Sequence, residues 1–291
     1  RLKNVAMKRI SKEILEIVGF ENTFPDDYLQ KDVVLRDGRD AIVWVHRQTG
    51  HGILDSQFWE ASVFYDERYR NEHSPEIGKR VEPSDCLQTY SALNEKQFRL
   101  FERYLSKGTK YLEIGCSFGG VLSRAAKVVG LCHGIEPNKK DFSFLQQKNS
   151  DVTVFNSTFE ETPLPKNFYD IVVGIEVLEH TVSPKAILNK CSFVLKPGGV
   201  LFLEVPNHND VLLITYKDKG YERFYYHKAH IHYFTKDSLL ALCNQWGFYG
   251  DVSSFLMYPF FNHVWWIQNH GPQGSAVSAL STPKLADDTP A

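Results

Sequence analysis

The sequence predicts an α/β protein: a doubly wound, largely parallel sheet of seven strands behind a smaller N-terminal α+β region. Two observations carry this. Short, near-continuously apolar runs alternate with helical patterns from residue 111 to residue 205. Strands apolar on both faces belong to a parallel sheet covered by helices on each side. One of these runs ends in Glu113-x-Gly115-x-x-x-Gly119, and an amphipathic stretch begins at Val121. A strand that turns on glycines into a helix lets backbone pass close to a ligand, because no Cβ stands in the way.

The elements follow in order. Residues 5–18 have helical periodicity, and Gly19 is the expected C-cap. Residues 33–45 are two short apolar runs around Asp37-Gly38, a strong hairpin signal. An aromatic stretch comes next, with Phe58-Trp59 and then Phe64, Tyr65 and Tyr69. Residues 1–95 therefore read as an accessory or cap region. From Asn94 to Leu105 a helix leads into strand 111–115. Helix 119–129, strand 131–135, helix 141–148, strand 152–155, strand 170–175, helix 183–195 and strand 199–205 follow. Thr235 caps a helix over 236–246, and strands 248–256 and 263–268 complete the seven. No room is left for a crossover helix between those last two, so they are expected to pair antiparallel. That closes a domain over 96–270. From residue 271 the chain is Gly, Ser, Ala, Pro and Asp with almost nothing to bury, and 271–291 reads as a disordered tail.

At 291 residues and 43% hydrophobic, the chain can bury a full α/β core with an accessory layer. A formal charge of −2 gives no basic footprint for nucleic acid. The five cysteines are scattered with no Cys-x-x-Cys pair, which argues against a zinc ribbon or a disulfide framework. No apolar run approaches a transmembrane length and no signal peptide is visible. The expectation is a cytoplasmic protein with a small-molecule partner, no membrane and no nucleic acid. Its oligomeric state is open.

Glu136 ends strand 131–135, 21 residues beyond Gly115. An acid at that distance closes the second strand of a nucleotide-binding unit and can accept from ribose hydroxyls. Three residues separate Gly115 from Gly119, where a dinucleotide site needs Gly-x-Gly-x-x-Gly, so the phosphate reading is the weaker. Here the chain resembles the class I S-adenosylmethionine-dependent methyltransferases, of Rossmann-like fold. Their first motif is the same acid-x-Gly-x-x-x-Gly. The resemblance extends over residues 98–268. Phe168-Tyr-Asp-Ile-Val-Val-Gly-Ile-Glu-Val-Leu-Glu-His180 looks like the family's fourth strand and following loop. Val194-Leu-Lys-Pro-Gly-Gly-Val-Leu-Phe-Leu-Glu-Val-Pro206 looks like the turn and fifth strand.

The resemblance implies S-adenosylmethionine as cofactor. Gly115, Cys116 and Gly119 would lie under its methionine moiety, with Glu113 ordering the loop or reaching its amino group. Glu136 and Pro137 would take the ribose. The family's adenine-binding acid is replaced by Thr158, leaving adenine to the Thr158 hydroxyl and the Phe159 amide. Glu176 and Val177 would hold the amino-acid end. His180 and His230 are the candidate bases, since their ordinary pKa lies near neutrality. Asn207, His208 and His227 are candidates for acceptor contact.

The implied reaction is methyl transfer to a small molecule, with a sugar or glycan building block as the first expectation. One alternative is O-methylation of a phenol or quinone precursor, with a divalent cation on Glu176, Glu179 and His180, as in quinone-biosynthesis methyltransferases sharing Glu-x-x-Glu-His. Two oxygens and an imidazole suit several divalent metals. Another is a non-catalytic scaffold of the same fold. The aromatic stretch 58–69 is similar to one that precedes the catalytic domain in some sugar methyltransferases, and it would close the substrate side or serve as a structural cap.

Overall fold

Ser11 accepts from the Ile14 amide and Gly19 closes the turn at φ 84°, so the first helix is the capped stretch Lys12–Val18. The computed structural model describes residues 9–20, 23–59, 82–148, 151–257 and 260–271. The start of the helix expected over 5–18, the aromatic residues 64–69 and the tail 272–291 lie outside them. The expected hairpin is present. β1 (Tyr28–Val34) and β2 (Asp40–His46) pair antiparallel with Val33 opposite Ala41, and β3 (Gly52–Leu54) adds to β2.

Helices Pro83–Thr89 and Ser91–Phe101 lead into the main sheet. Its strands are β4 (Lys110–Ile114), β5 (Leu131–Ile135), β6 (Thr153–Phe155), β7 (Tyr169–Ile175) and β8 (Leu195–Glu204). All pairs are parallel, in the order β6-β5-β4-β7-β8. Successive side chains of a strand face opposite sides. Leu112 and Val172 thus join one core with Ile187, Leu188 and Leu242, while Tyr111 and Val173 join the other with Phe101 and Leu122. The chain winds from β4 outward to β6, then returns across β4 to β7. The crevice outside the carboxyl ends of β4 and β7 is therefore the topological switch point where open α/β sheets bind ligands.

The sequence-based expectation differs from this structure at the C-terminal end. Residues 248–256 form no strand, and Phe260–Asn269 is a helix where strand 263–268 was expected. The main sheet has five strands among the described residues, with no antiparallel last pair. The Val-Trp-Trp-Ile run suits a strand by propensity. Yet Asn262 and Trp266 lie four apart and are both buried, a helical spacing. Trp266 packs edge-on against Tyr221, 5.3 Å between centroids, so tertiary contact overrides propensity. The helix expected over 119–129 is also reduced, to Leu122–Ala125 with looser turns after it.

β9 (His232–Tyr233) comes from the far end of the chain and pairs antiparallel with β3, completing a second sheet in the order β1-β2-β3-β9. Buried Tyr225, Tyr226 and Tyr233 pack against Val33, Val43 and Leu54 beneath it. His208 locks this layer in place. Its Nδ1 donates to the Gly50 carbonyl at 2.9 Å and its Nε2 accepts from the Tyr226 hydroxyl at 2.8 Å. Burial pushes the imidazole down to about 4. A depressed imidazole gives stability that is present above its ordinary pKa and is lost as pH falls toward the folded value. Folding stability should therefore drop by about 3 kcal/mol between pH 6.5 and pH 4 on account of His208. Denaturant midpoints at pH 7 and pH 4.5 for wild type and His208→Gln would check this. Parallel losses in both would refute it.

Candidate active site

β4 runs straight into the glycine turn. Gly115 sits at φ 67°, and a Cβ there would stand 2.7 Å from Val177 Cγ2, so only glycine lets this loop approach the β7 turn. Gly119 has φ 79°, and a Cβ on it would collide with Leu145. Between them, buried Cys116 donates its amide to the Ile135 carbonyl at 3.0 Å. Ser117 takes a left-handed φ of 52° without being glycine, and Glu136 supports it. Glu136 Oε2 accepts from the Ser117 amide and Oε1 from the Asn138 amide, both at 2.7 Å. The side chain of Asn156 donates to the carbonyls of Glu136 and Pro137, which fixes the turn after β5.

Glu113, on β4, is buried and accepts from the Tyr111 hydroxyl at 2.7 Å. Burial, with the nearby Glu136 charge adding to it, pushes its carboxyl up to about 8. After β6, the Thr158 hydroxyl accepts weakly from the Glu161 amide at 3.4 Å. Phe159 is buried beside it, with the Lys190 ammonium 5.2 Å from the ring centre.

The turn after β7 holds the densest chemistry. Glu176 adopts φ 53° and donates its amide to the Glu204 carbonyl at 2.9 Å. Burial raises its carboxyl well above the ordinary range, with Glu179 and Glu204 adding to the effect. Glu179, in the 3-10 turn Leu178–His180, is completely buried, and neither carboxylate oxygen has a hydrogen-bond partner among the described residues. Burial, with Glu204 adding, pushes it up to about 8. His180 Nδ1 donates to the Ala229 carbonyl at 2.7 Å, which turns its Nε2 toward Glu179 Oε1, 3.5 Å away. His230 Nε2 approaches the same oxygen at 4.0 Å.

A cavity of about 1430 Å³ opens beside these groups, lined by Glu176, His180, Glu204, Asn207, His227 and His230. The structure thus brings both candidate bases and two candidate acceptor residues to one cavity. His208 is the exception. It was expected to contact the acceptor, but both its ring nitrogens are used in holding the second sheet to the loop. Sequence reasoning missed Glu204, whose Oε1 accepts from Gln97 at 2.8 Å. The available signal was a charged residue closing an otherwise apolar strand.

A family described as a methyltransferase domain matches residues 88–251, more than half of the chain. The chain belongs to the class I S-adenosylmethionine-dependent methyltransferases. S-adenosylmethionine is the cofactor of this family. A ubiquinone biosynthesis O-methyltransferase of Vibrio vulnificus is 32% identical over 108 residues, which are 35% of this chain and 46% of the relative. A namesake from a Shewanella species is 30% identical over 108 residues, 35% of this chain and 45% of the relative. The chain thus spans less than half the length of these curated relatives. Among solved structures, the YcgJ protein of Bacillus subtilis is similar with a TM-score of 0.48 and 19% identity, over 62% of this chain and 77% of that one. A possible histamine N-methyltransferase of Thermotoga maritima has a TM-score of 0.41 and 21% identity, over 56% and 81%.

The sequence placed no metal in its preferred reading and gave a cation on Glu176, Glu179 and His180 as an alternative. The structure gathers a different set. Glu179, His180 and His230 each present a ligand atom, all within 4.8 Å of one another. His180 already donates its other ring nitrogen to a carbonyl, as metal-ligating histidines do. One buried carboxylate and two imidazoles fit a divalent ion. Glu176 is not among them. Among the described residues no helix is long and apolar enough to cross a membrane.

Proposed function

We propose that the chain transfers the methyl group of S-adenosylmethionine to a hydroxyl of a small-molecule acceptor, with a phenol or quinone precursor favoured over a sugar. The observation that carries this is the placing of His180 and His230 on the wall of the cavity, with buried Glu179 close to both rings, at the carboxyl edge of the main sheet. The curated relatives, named for ubiquinone biosynthesis, support the phenolic acceptor.

In this reading Gly115, Cys116 and Gly119 form a floor under the methionine moiety, while Glu136 accepts from the ribose hydroxyls beside Pro137. Glu113, Glu176 and Val177 receive the amino-acid end. Thr158 and Phe159 border the adenine. The sulfonium carries an activated methyl group, so the protein chiefly aligns an acceptor oxygen with the S–CH₃ bond. As the O–C bond forms and the S–C bond breaks, S-adenosylhomocysteine leaves and the hydroxyl proton must go to a base. In the metal-free site Nε2 of His180 or His230 takes it, and the Glu179 carboxyl, which both nitrogens face, stabilises the imidazolium. Asn207 and His227 form part of the acceptor wall. When a divalent ion is bound, Glu179, His180 and His230 would hold it instead of acting as bases, and it would supply a positive charge that lets the acceptor hydroxyl lose its proton to solvent.

The test is S-adenosylhomocysteine release with catechols, hydroxybenzoates and nucleotide sugars, with a chelator and then with Mg²⁺, Mn²⁺ or Zn²⁺ added back. Methylation of phenols only, slowed on chelation and restored by one ion, is the expected result. Methylation of sugars alone would overturn the phenolic acceptor. Binding of S-adenosylhomocysteine with no acceptor methylated in a broad screen would favour a scaffold.

A further inference from the structure

We propose that the second sheet is part of the catalytic apparatus, with Tyr226 and Lys31 as positioning residues that hold loop 226–231 against Glu179 and His180. What the loop does in the reaction rests on the function proposed above.

The loop is tied to the β7 turn at two points. The Ile231 amide donates to the Glu179 carbonyl at 2.9 Å, and His180 donates to the Ala229 carbonyl. The second sheet holds it from behind. The Leu54 amide, at the end of β3, donates to the Ile231 carbonyl at 2.9 Å. One residue of the loop, Ile231, thus bridges β3 to Glu179. At the other end of the loop, the Arg36 amide donates to the Tyr226 carbonyl at 2.8 Å, and the Arg36 guanidinium donates to the Phe224 carbonyl. With Tyr226 and Ile231 both fixed, the four residues between them, His227 and His230 included, have little freedom left.

The Tyr226 hydroxyl is the polar centre of this attachment. Lys31 Nζ, on β1, donates to it at 2.8 Å, and it donates in turn to His208, which donates to Gly50. Lys31 also pairs with Glu222 at 3.2 Å. The chain of donors runs in one direction through a buried tyrosine, so removing the hydroxyl leaves the Lys31 and His208 groups without that partner. Tyr226 and Lys31 do not line the cavity; their effect on chemistry runs through the loop. A displacement of about 1 Å at a reacting group can cost ~100-fold in rate.

Tyr226→Phe removes the hydroxyl and keeps the ring. At a temperature where the variant is fully folded, amide exchange should quicken about ten-fold over 227–234 and stay unchanged over 169–175. With the acceptor that the wild type methylates, kcat should fall about ten-fold or more while the Kd for S-adenosylhomocysteine holds. Lys31→Met should repeat the loss, and Lys31→Arg, which keeps a donor, should restore most of it. Unchanged exchange in the loop would overturn the proposal, as would faster exchange with wild-type kcat. If the wild type binds S-adenosylhomocysteine but methylates nothing, the acceptor reading fails. The exchange measurement alone then decides whether the sheet holds the loop.

Discussion

Replacing Glu136 with alanine is expected to abolish cofactor-dependent stabilisation and to weaken the fold itself. In the wild type, S-adenosylhomocysteine at about 100 times its Kd should add roughly 2.7 kcal/mol, seen as a rise of several degrees in the unfolding midpoint. The carboxylate also accepts from the Ser117 and Asn138 amides, so it holds the strained glycine turn and the turn after β5 in one geometry. Losing a buried acceptor costs about 1–3 kcal/mol per donor left behind. Glu136→Ala should therefore melt several degrees lower without ligand and show no shift with it. Glu136→Gln keeps one acceptor oxygen, so it should recover part of the apo stability and little of the ligand response. Calorimetry on the three proteins with and without S-adenosylhomocysteine decides this. A normal ligand shift in the alanine variant would remove Glu136 from the cofactor site.

Glu179→Gln should separate activity from stability in opposite directions. Its carboxyl rises to about 8 in the folded protein from an ordinary value of 4.5. The folded state then keeps a proton that the unfolded chain releases between those limits. Stability accordingly falls as pH rises from about 4.5 to 8, at up to roughly 1.4 kcal/mol per unit, and the cost is complete above 8. Glutamine carries no charge to bury, so the variant should melt higher than wild type at pH 8.5 and near it at pH 5, in metal-free buffer. Methyl transfer should meanwhile fall by ~10²–10⁴-fold, the usual worth of a positioned acid–base group. Midpoints at the two pH values and kcat at saturating acceptor check both halves. A variant with wild-type turnover would leave Glu179 a buried acid with no part in the reaction.

Much of the glycine turn and its surroundings was legible in the chain. Glu113, Gly115, Gly119 and Glu136 lie within 24 consecutive residues, and a strand–turn–helix–strand unit fixes their relations through local geometry alone. The hairpin at Asp37-Gly38 and the Thr235 cap were legible for the same reason, since turn and cap chemistry act over two or three residues. The cluster after β7 was less so. His180 and His230 were visible as candidates, but their meeting at Glu179 was not, because 50 residues of sequence separate the two histidines. The run 260–269 misled because its aromatic and β-branched residues favour a strand, while burial of Trp266 against Tyr221 decided for a helix.

By itself the sequence determined the alternating α/β pattern, the glycine turn and the acid that closes the second strand. Each follows from side-chain periodicity or from backbone conformations that few residues accept. Only the tertiary structure decided which histidines meet Glu179, that His208 is spent on Gly50 and Tyr226, and that β9 joins the N-terminal strands into one sheet. Those outcomes are pairings between segments far apart in the chain. Their partners are chosen by burial and hydrogen-bond satisfaction across the whole fold, which no local pattern encodes.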